Sequence, residues 1–248
     1  MLMMEKAGFL RRRMALEWGC PPDAFLSADH VFLSSPDMFF EIVSFGRNAV
    51  VRGNGDILDW CSGMFADIPP ERIMDGELLY AIERKLREHG RKLAGEHIRY
   101  IHADHCGAPN IPDGYTFRLY DRDDMDMLQA FSGFDNALNR KDDVLACGAF
   151  SNDALIALAG ADDRLSDCWQ IGVDTLEGHR RKGLAAHLVK TLALEIEDRG
   201  FLPYYTTWGA NIASAKTALR AGFFPVCVGY HAVTMESSSH EVPALVGE

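Results

Sequence analysis

Residues Asp174–Leu188 read DTLEGHRRKGLAAHL. An apolar run ends near Thr175, a short basic segment carrying Gly183 follows, and an amphipathic helical pattern opens at that glycine. The first N–H groups of a helix have no intrahelical acceptor and sit at the positive end of its macrodipole, so such a junction suits a phosphate. Gly183 lets the backbone approach a pyrophosphate, Ala185 keeps the first turn small, and Arg180, Arg181 and Lys182 add charge. A solvated basic turn is the competing reading of these residues taken alone.

Working outward, the second half alternates legibly. Thr116–Tyr120 reads as a strand, Arg122–Phe131 as a helix and Phe134–Leu138 as a helical turn. Three strands follow at Val144–Phe150, Leu155–Ala161 and Trp169–Thr175, separated by polar breaks at Ser151-Asn152-Asp153 and Asp162-Asp163-Arg164. Then come a helix over Gly183–Arg199, a strand over Leu202–Trp208, a helix over Ile212–Arg220 and a strand over Pro225–Met235. Residues beyond Glu236 read as a loose tail.

Arg180-x-x-Gly183-x-Ala185 matches a Q/R-x-x-G-x-G/A signature, and Asn211-x-x-Ser214 is followed by Ala221-Gly222-Phe223, with Gly222 eleven residues after Asn211. On these two motifs, and on the element order around them, residues 116–235 resemble the GNAT superfamily of N-acetyltransferases. The resemblance implies an α+β (mixed α/β) fold in which a central mixed sheet carries flanking helices. It implies acetyl-CoA (coenzyme A) as cosubstrate and no metal. Amides from Arg181 through Lys182, Gly183 and Leu184 to Ala185 would cradle the pyrophosphate, with Arg180 at the first signature position. Val173, Asp174 and Thr175 would pair through their main chain with the pantetheine arm, and one of their N–H groups would polarise the thioester carbonyl. Asn211 and Ser214 would reach the coenzyme from the next helix.

The family reaction is direct attack of an amine on the thioester in a ternary complex. It needs a base, because an alkylammonium is protonated near neutrality, and it benefits from an acid beside the leaving thiolate. The tyrosine that many members carry seven residues after the Asn is Ala218 here, so Tyr204, Tyr205 or a water is left to replace it. Trp169 stands near the usual place of a carboxylate base, which leaves Asp167, Asp174 and Glu177 as candidates. The catalytic set carried forward is Asp174, Glu177 and Tyr205. A catalytically silent acyl-CoA-binding sensor or scaffold is the alternative.

The remainder of the chain bounds this reading. At 248 residues with 48% hydrophobic and 25% charged residues, it has the composition of a folded protein of one large or two small domains. A formal net charge of -11 repels phosphate backbones and anionic lipid, so neither nucleic acid nor membrane is an expected partner, and a cationic small-molecule amine is. A homodimer stays open. No apolar block of signal or membrane-span length occurs near the N-terminus, and six widely spaced cysteines fit free buried thiols, so a cytoplasmic location is expected. The Gly- and Pro-rich segment Cys106–Tyr115 marks a domain boundary, giving a smaller α+β domain of unknown role over 1–115, which could shape the acceptor site, and the GNAT-like domain over 116–248.

In residues 1–115, helices are expected over Glu5–Trp18, from Ile57 through Met64, and after Asp75 as N-cap. Strands are expected at Val31–Ser34, Met38–Phe45, Asn48–Val51 and Ile98–Ala103. Trp60, Met64 and Phe65 read as core, and the charges from Glu83 to Lys92 as a solvated helix face. Arg52-x-x-Gly55 between a strand and a helix echoes the signature of the second half, but bulky Ile57 argues against a phosphate site. His97, His102, Asp104, His105 and Cys106 lack any metal-site frame and read as a strand end with a polar loop.

Overall fold

A computed structural model describes residues 3–103, 113–128, 130–138, 142–165 and 167–236. In chain order the elements are α1 (Met3–Trp18), β1 (Val31–Ser34), β2 (Phe40–Ser44), β3 (Val50–Gly53), α2 (Gly55–Phe65), α3 (Gly76–Arg87), β4 (Arg91–Leu93), β5 (His97–His102), β6 (Thr116–Asp121), α4 (Met125–Leu128), β7 (Asp143–Ser151), β8 (Ala154–Leu165), β9 (Cys168–Thr175), α5 (Leu184–Asp198), β10 (Leu202–Thr207), α6 (Ile212–Arg220) and β11 (Phe223–Thr234). The fold is mixed α/β. The chain divides into two compact units, one of residues 3–7 and 99–225 and the other of residues 8–98 and 226–236.

The first unit is built on a mixed sheet in the order β5-β10-β9-β8-β7-β6. β6 to β9 pair antiparallel, while β10 runs parallel to β9. The β7–β8 hairpin turns on Asn152 and Asp153, at φ 48 and 62, the left-handed pair that a two-residue turn matching strand twist requires. Each face of this sheet has its own cover. Phe117 lies opposite Ala149, which lies opposite Ala157, and the Phe117 ring meets His187 of α5 at 4.5 Å, so α5 packs on that face. On the other face Tyr120, Ala146, Leu155 and Leu158 form a core with Leu128, Phe134 and Ala137. Near its C-terminus α5 is fastened by Glu197 Oε1, which accepts from Lys6 Nζ at 2.6 Å and lies 3.0 Å from His102 Nδ1. Burial pushes the Glu197 carboxyl up, but its hydrogen bonds to His102 and Lys6 outweigh this and hold it below the usual carboxylate range.

The second unit orders β1-β3-β2-β11, with β4 also paired to β11. Phe40, Ile42 and Val51 of its strands bury against Ile57, Leu58, Cys61 and Phe65 of α2 and Leu78, Ile82 and Leu86 of α3. These positions recur at three- and four-residue spacing, which is why α2 and α3 each turn one face inward.

The structure departs from the sequence reading in several details. The helix over Arg122–Phe131 shrinks to a 3-10 turn at Arg122–Asp124 and α4, because Asp121 and Asp124 close a capping box that tightens the entry. The polar break at Asp162–Arg164 lies inside β8, where the Asp162 carboxylate takes Arg164 Nε and a terminal nitrogen at 3.1 and 3.0 Å and so offsets the charge within the strand. Asp75 occupies the N-cap position of α3, yet its carboxylate bonds Arg72 at 2.6 Å instead of a helix amide. Met64 is 41% exposed, on the outer side of a helix whose inner side holds Phe65. The third strand is also displaced, to Val50–Gly53, and β4 at Arg91–Leu93 carries no sequence signal beyond its charges.

Among the described residues, Cys20, Cys61, Cys147, Cys168 and Cys227 form no disulfide, and burial pushes the Cys61 and Cys147 thiols up to about 12, the unreactive state. Cys106, with Asp104 and His105, lies outside the described residues. His97 stacks on His231 with ring centroids 5.6 Å apart, and His102 is bound to Glu197. Among the described residues no group of three metal-ligating side chains converges, and no helix is long and apolar enough to cross a membrane.

Candidate functional site

β9 and β10 start as a parallel pair and then part. Their register runs from Leu202 opposite Cys168 to Tyr205 opposite Ile171 and stops there, although β9 continues to Thr175 and β10 to Thr207. β9 stays paired with β8 throughout, from Val173 opposite Ala159 to Thr175 opposite Ala157, and the Leu176 N–H still donates to Ile156 O at 2.9 Å. Peptide groups alternate sides along a strand. With Leu176 and Asp174 turned toward β8, the main-chain groups of Val173 and Thr175 point into the opening. Arg180 Nε takes the Thr175 carbonyl at 3.0 Å, so the guanidinium braces the strand end.

Beyond this opening the chain makes a 3-10 turn at Glu177–His179 and enters α5. Arg181 and Gly183 take left-handed conformations, at φ 65 and 83, which turn consecutive peptide groups inward. Left-handed backbone strains an arginine but suits a glycine. No side chain caps the α5 N-terminus, and its first turn, with Leu184 and Ala185, contains no acidic residue. An uncapped helix start without a carboxylate retains its full attraction for an anion. Two buried polar atoms nearby, Thr175 Oγ1 and His179 Nδ1, have no hydrogen-bond partner among the described residues. Lys182 Nζ donates to the Tyr115 hydroxyl at 3.0 Å and lies 5.8 Å from that ring's centre. These donors and the small first turn fit a pyrophosphate.

The candidate residues of α6 are already engaged with one another. Asn211 is its N-cap, and its Oδ1 accepts the Ser214 N–H at 3.1 Å. Ser214 Oγ lies 2.8 Å from the Tyr205 hydroxyl, so a strand residue and a helix residue share one proton position. Burial raises the Tyr205 phenol above its ordinary value, although the Ser214 bond works against this. Tyr204 points the other way and donates to Gln170 Oε1 at 2.9 Å; burial raises its pKa strongly. Ala218 is fully buried.

Of the two candidate carboxylates, Glu177 is exposed in its 3-10 turn. Asp174 is committed: Oδ2 accepts the Asn136 and Ala137 N–H groups at 2.7 and 3.0 Å, and Oδ1 accepts Asn136 Nδ2 at 2.8 Å. Asn136, Tyr115 and the Thr175 hydroxyl were missed in the sequence, since each takes part only through a partner distant in the chain or through burial.

The echo at Arg52-x-x-Gly55 has a different outcome. Asn54 caps α2 by accepting the Ile57 N–H, and Asp56 occupies its first turn. Arg52 gives Nε to Glu41 Oε2 at 2.8 Å and lies 4.5 Å from the centre of the Trp18 ring. That junction is closed.

Residues 108–223 match the family model described as Acetyltransferase (GNAT) family. The matched stretch holds the opening between β9 and β10, the α5 start and α6. No curated protein matches the chain. Among solved structures the chain is similar to a putative acetyltransferase from the GNAT family from Novosphingobium aromaticivorans, at 17% identity and TM-score 0.44 over 58% of this chain and 66% of that one. An acetyltransferase from the GNAT family from Colwellia psychrerythraea gives 15% identity and TM-score 0.44 over 58% and 57%. A GCN5-related N-acetyltransferase-like protein from Streptococcus suis gives 20% identity and TM-score 0.45 over 64% and 69%. The chain thus spans less than two thirds of the length of the first two.

Proposed function

We propose that residues 108–223 form a GNAT domain, which transfers an acetyl group from acetyl-CoA to a primary amine by direct attack in a ternary complex. The observation that carries this reading is the opening between β9 and β10 after Ile171 and Tyr205, placed directly before an uncapped helix start. In it, the amides from Arg181 to Ala185 hold the pyrophosphate with Arg180 and Lys182 alongside. Val173 and Thr175 pair with the pantetheine arm, and the Val173 N–H receives the oxygen of the tetrahedral intermediate. Asn211 and Ser214 contact the coenzyme from α6.

Proton traffic falls to two groups. Glu177 takes a proton from the substrate ammonium, directly or through water. Tyr205 donates through Ser214 Oγ to the departing thiolate; a phenol whose pKa is raised keeps its proton at neutral pH, the state a donor needs. The net charge of -11 favours a cationic amine as acceptor, and a cytoplasmic location accords with the acetyl-CoA requirement.

One observation favours a second reading. Ala218, fully buried, stands where the family carries its acid, which a coenzyme-binding module without turnover would tolerate. Two measurements separate the readings. Acetyl-CoA should raise the melting temperature of the wild-type protein and leave that of Gly183→Glu unchanged, and thiol should be released from acetyl-CoA in the presence of at least one member of a broad amine panel. An equal shift in both proteins overturns the site; binding without turnover on any amine leaves the second reading.

A further inference from the structure

Asp174 faces two ways. Its main chain belongs to the end of β9 that lines the opening, while its side chain accepts three hydrogen bonds from Asn136 and Ala137 in the turn at 134–138. We infer that Asp174 is a positioning residue which couples coenzyme occupancy of β9 to the geometry of the 134–138 turn, an inference that rests on the coenzyme reading above.

The turn has almost no freedom to answer such a movement by sliding. It lies on a bed made by two glycines paired across β8 and β9, Gly160 and Gly172. A Cβ on Gly160 would stand 1.9 Å from the Ala137 carbonyl oxygen, and one on Gly172 1.9 Å from the Asn136 carbonyl oxygen. Carbonyls that close to the strand follow it. Gly133, the residue before the turn, lies close to the Leu176 side chain, since a Cβ there would stand 3.4 Å from Leu176 Cδ2. Phe134 and Ala137 are buried while Asp135 and Asn136 are exposed, so the turn is anchored from beneath and displays its polar side chains to solvent. A coenzyme arm that pairs with Val173 and Thr175 fixes β9 up to Leu176, and the Asp174 carboxylate and the Leu176 side chain pass that fixation to the turn. The coenzyme would therefore set the turn before an acceptor arrives.

Amide hydrogen exchange of the segment 130–138, with and without coenzyme A, tests this. In the wild type, coenzyme should slow exchange at Asn136 and Ala137 at least tenfold. Asp174→Ala should still show a melting shift with coenzyme A, yet exchange this segment quickly in both conditions. Asp174→Asn keeps a carbonyl for the two backbone amides and should retain the coupling, which a residue acting as a base would not do for its own function. Unchanged wild-type exchange in the presence of bound coenzyme overturns the inference alone, and so does an Asp174→Asn protein that behaves like Asp174→Ala. Absence of any wild-type melting shift with coenzyme A overturns the proposed function and this inference with it. The wild-type comparison stands whether or not Asp174→Ala folds.

Discussion

Two junctions in this chain share the pattern Arg-x-x-Gly between a strand and a helix, and they serve opposite ends. At the start of α2 the positive helix end is already satisfied by the Asn54 cap and the Asp56 carboxylate, and Arg52 is held between Glu41 and Trp18. At the start of α5 there is no cap and no acid, and Arg180 braces a strand end beside an opening. A positive helix terminus is thus a resource that the fold either consumes internally or leaves for an anion. Which it does depends on the neighbours of the motif.

The contrast can be broken by experiment. The largest effect is expected at the two arginines. Arg52→Ala breaks the buried ion pair with Glu41 and should cost about 3 kcal/mol in urea unfolding. Arg180→Ala should change stability by less than about 0.5 kcal/mol while weakening acetyl-CoA binding. Equal destabilisation by both would erase the distinction.

Next, Ala185→Asp places a carboxylate at the open helix start. Through the macrodipole it should stabilise α5 by roughly 0.5 kcal/mol, and by like-charge repulsion it should weaken coenzyme binding about tenfold, roughly 1.4 kcal/mol. A binding titration that shows no loss would mean that the anion does not sit there. Asn54→Ala, which opens the closed junction, should lower stability by about 1 kcal/mol with no gain of coenzyme binding, since Ile57 blocks close approach.

The smallest effect concerns the other end of α5. The Glu197 pKa is depressed in the folded protein, so its contribution is present above the ordinary carboxylate pKa and is lost as pH falls below about 4. Glu197→Gln should flatten the acid limb of the stability profile and leave the neutral coenzyme affinity unchanged. A steep acid limb surviving in the variant would assign that pH dependence to other carboxylates.

What was legible in the sequence was what is encoded locally. α5 and α6 stand where their periodicity and caps place them, because Gly183 and Asn211 act within a single turn of chain. The pairing of the β9 end with a coenzyme arm was legible only through the family resemblance, and the division of labour at Asp174 was not legible at all: its three donors lie in a turn at 134–138, outside its own strand and loop. Arg52 and Arg180 present the same pattern; Asn54 and Asp56 set the two helix starts apart locally, but the fate of the Arg52 side chain is decided by Glu41 and Trp18, folded in from elsewhere. The charges at Asp162 and Arg164 misled because a strand can carry two opposite charges that neutralise each other. Between Asp121 and Asp124 a capping box made a short turn where the apolar pattern promised a helix.

The glycine pair beneath the 134–138 turn constrains how this protein can diversify. Gly160 and Gly172 leave room only for the carbonyl groups of the turn, since a Cβ on either would stand 1.9 Å from a carbonyl oxygen. The Asp135 side chain is exposed and subject to no such limit, whereas that of Asn136 is held by its bond to Asp174. Mutation can therefore rewrite what the turn displays without moving where it displays it, which makes this segment an interchangeable fitting on a rigid mount. A library randomised at position 135, with both glycines retained, should fold at little cost in stability.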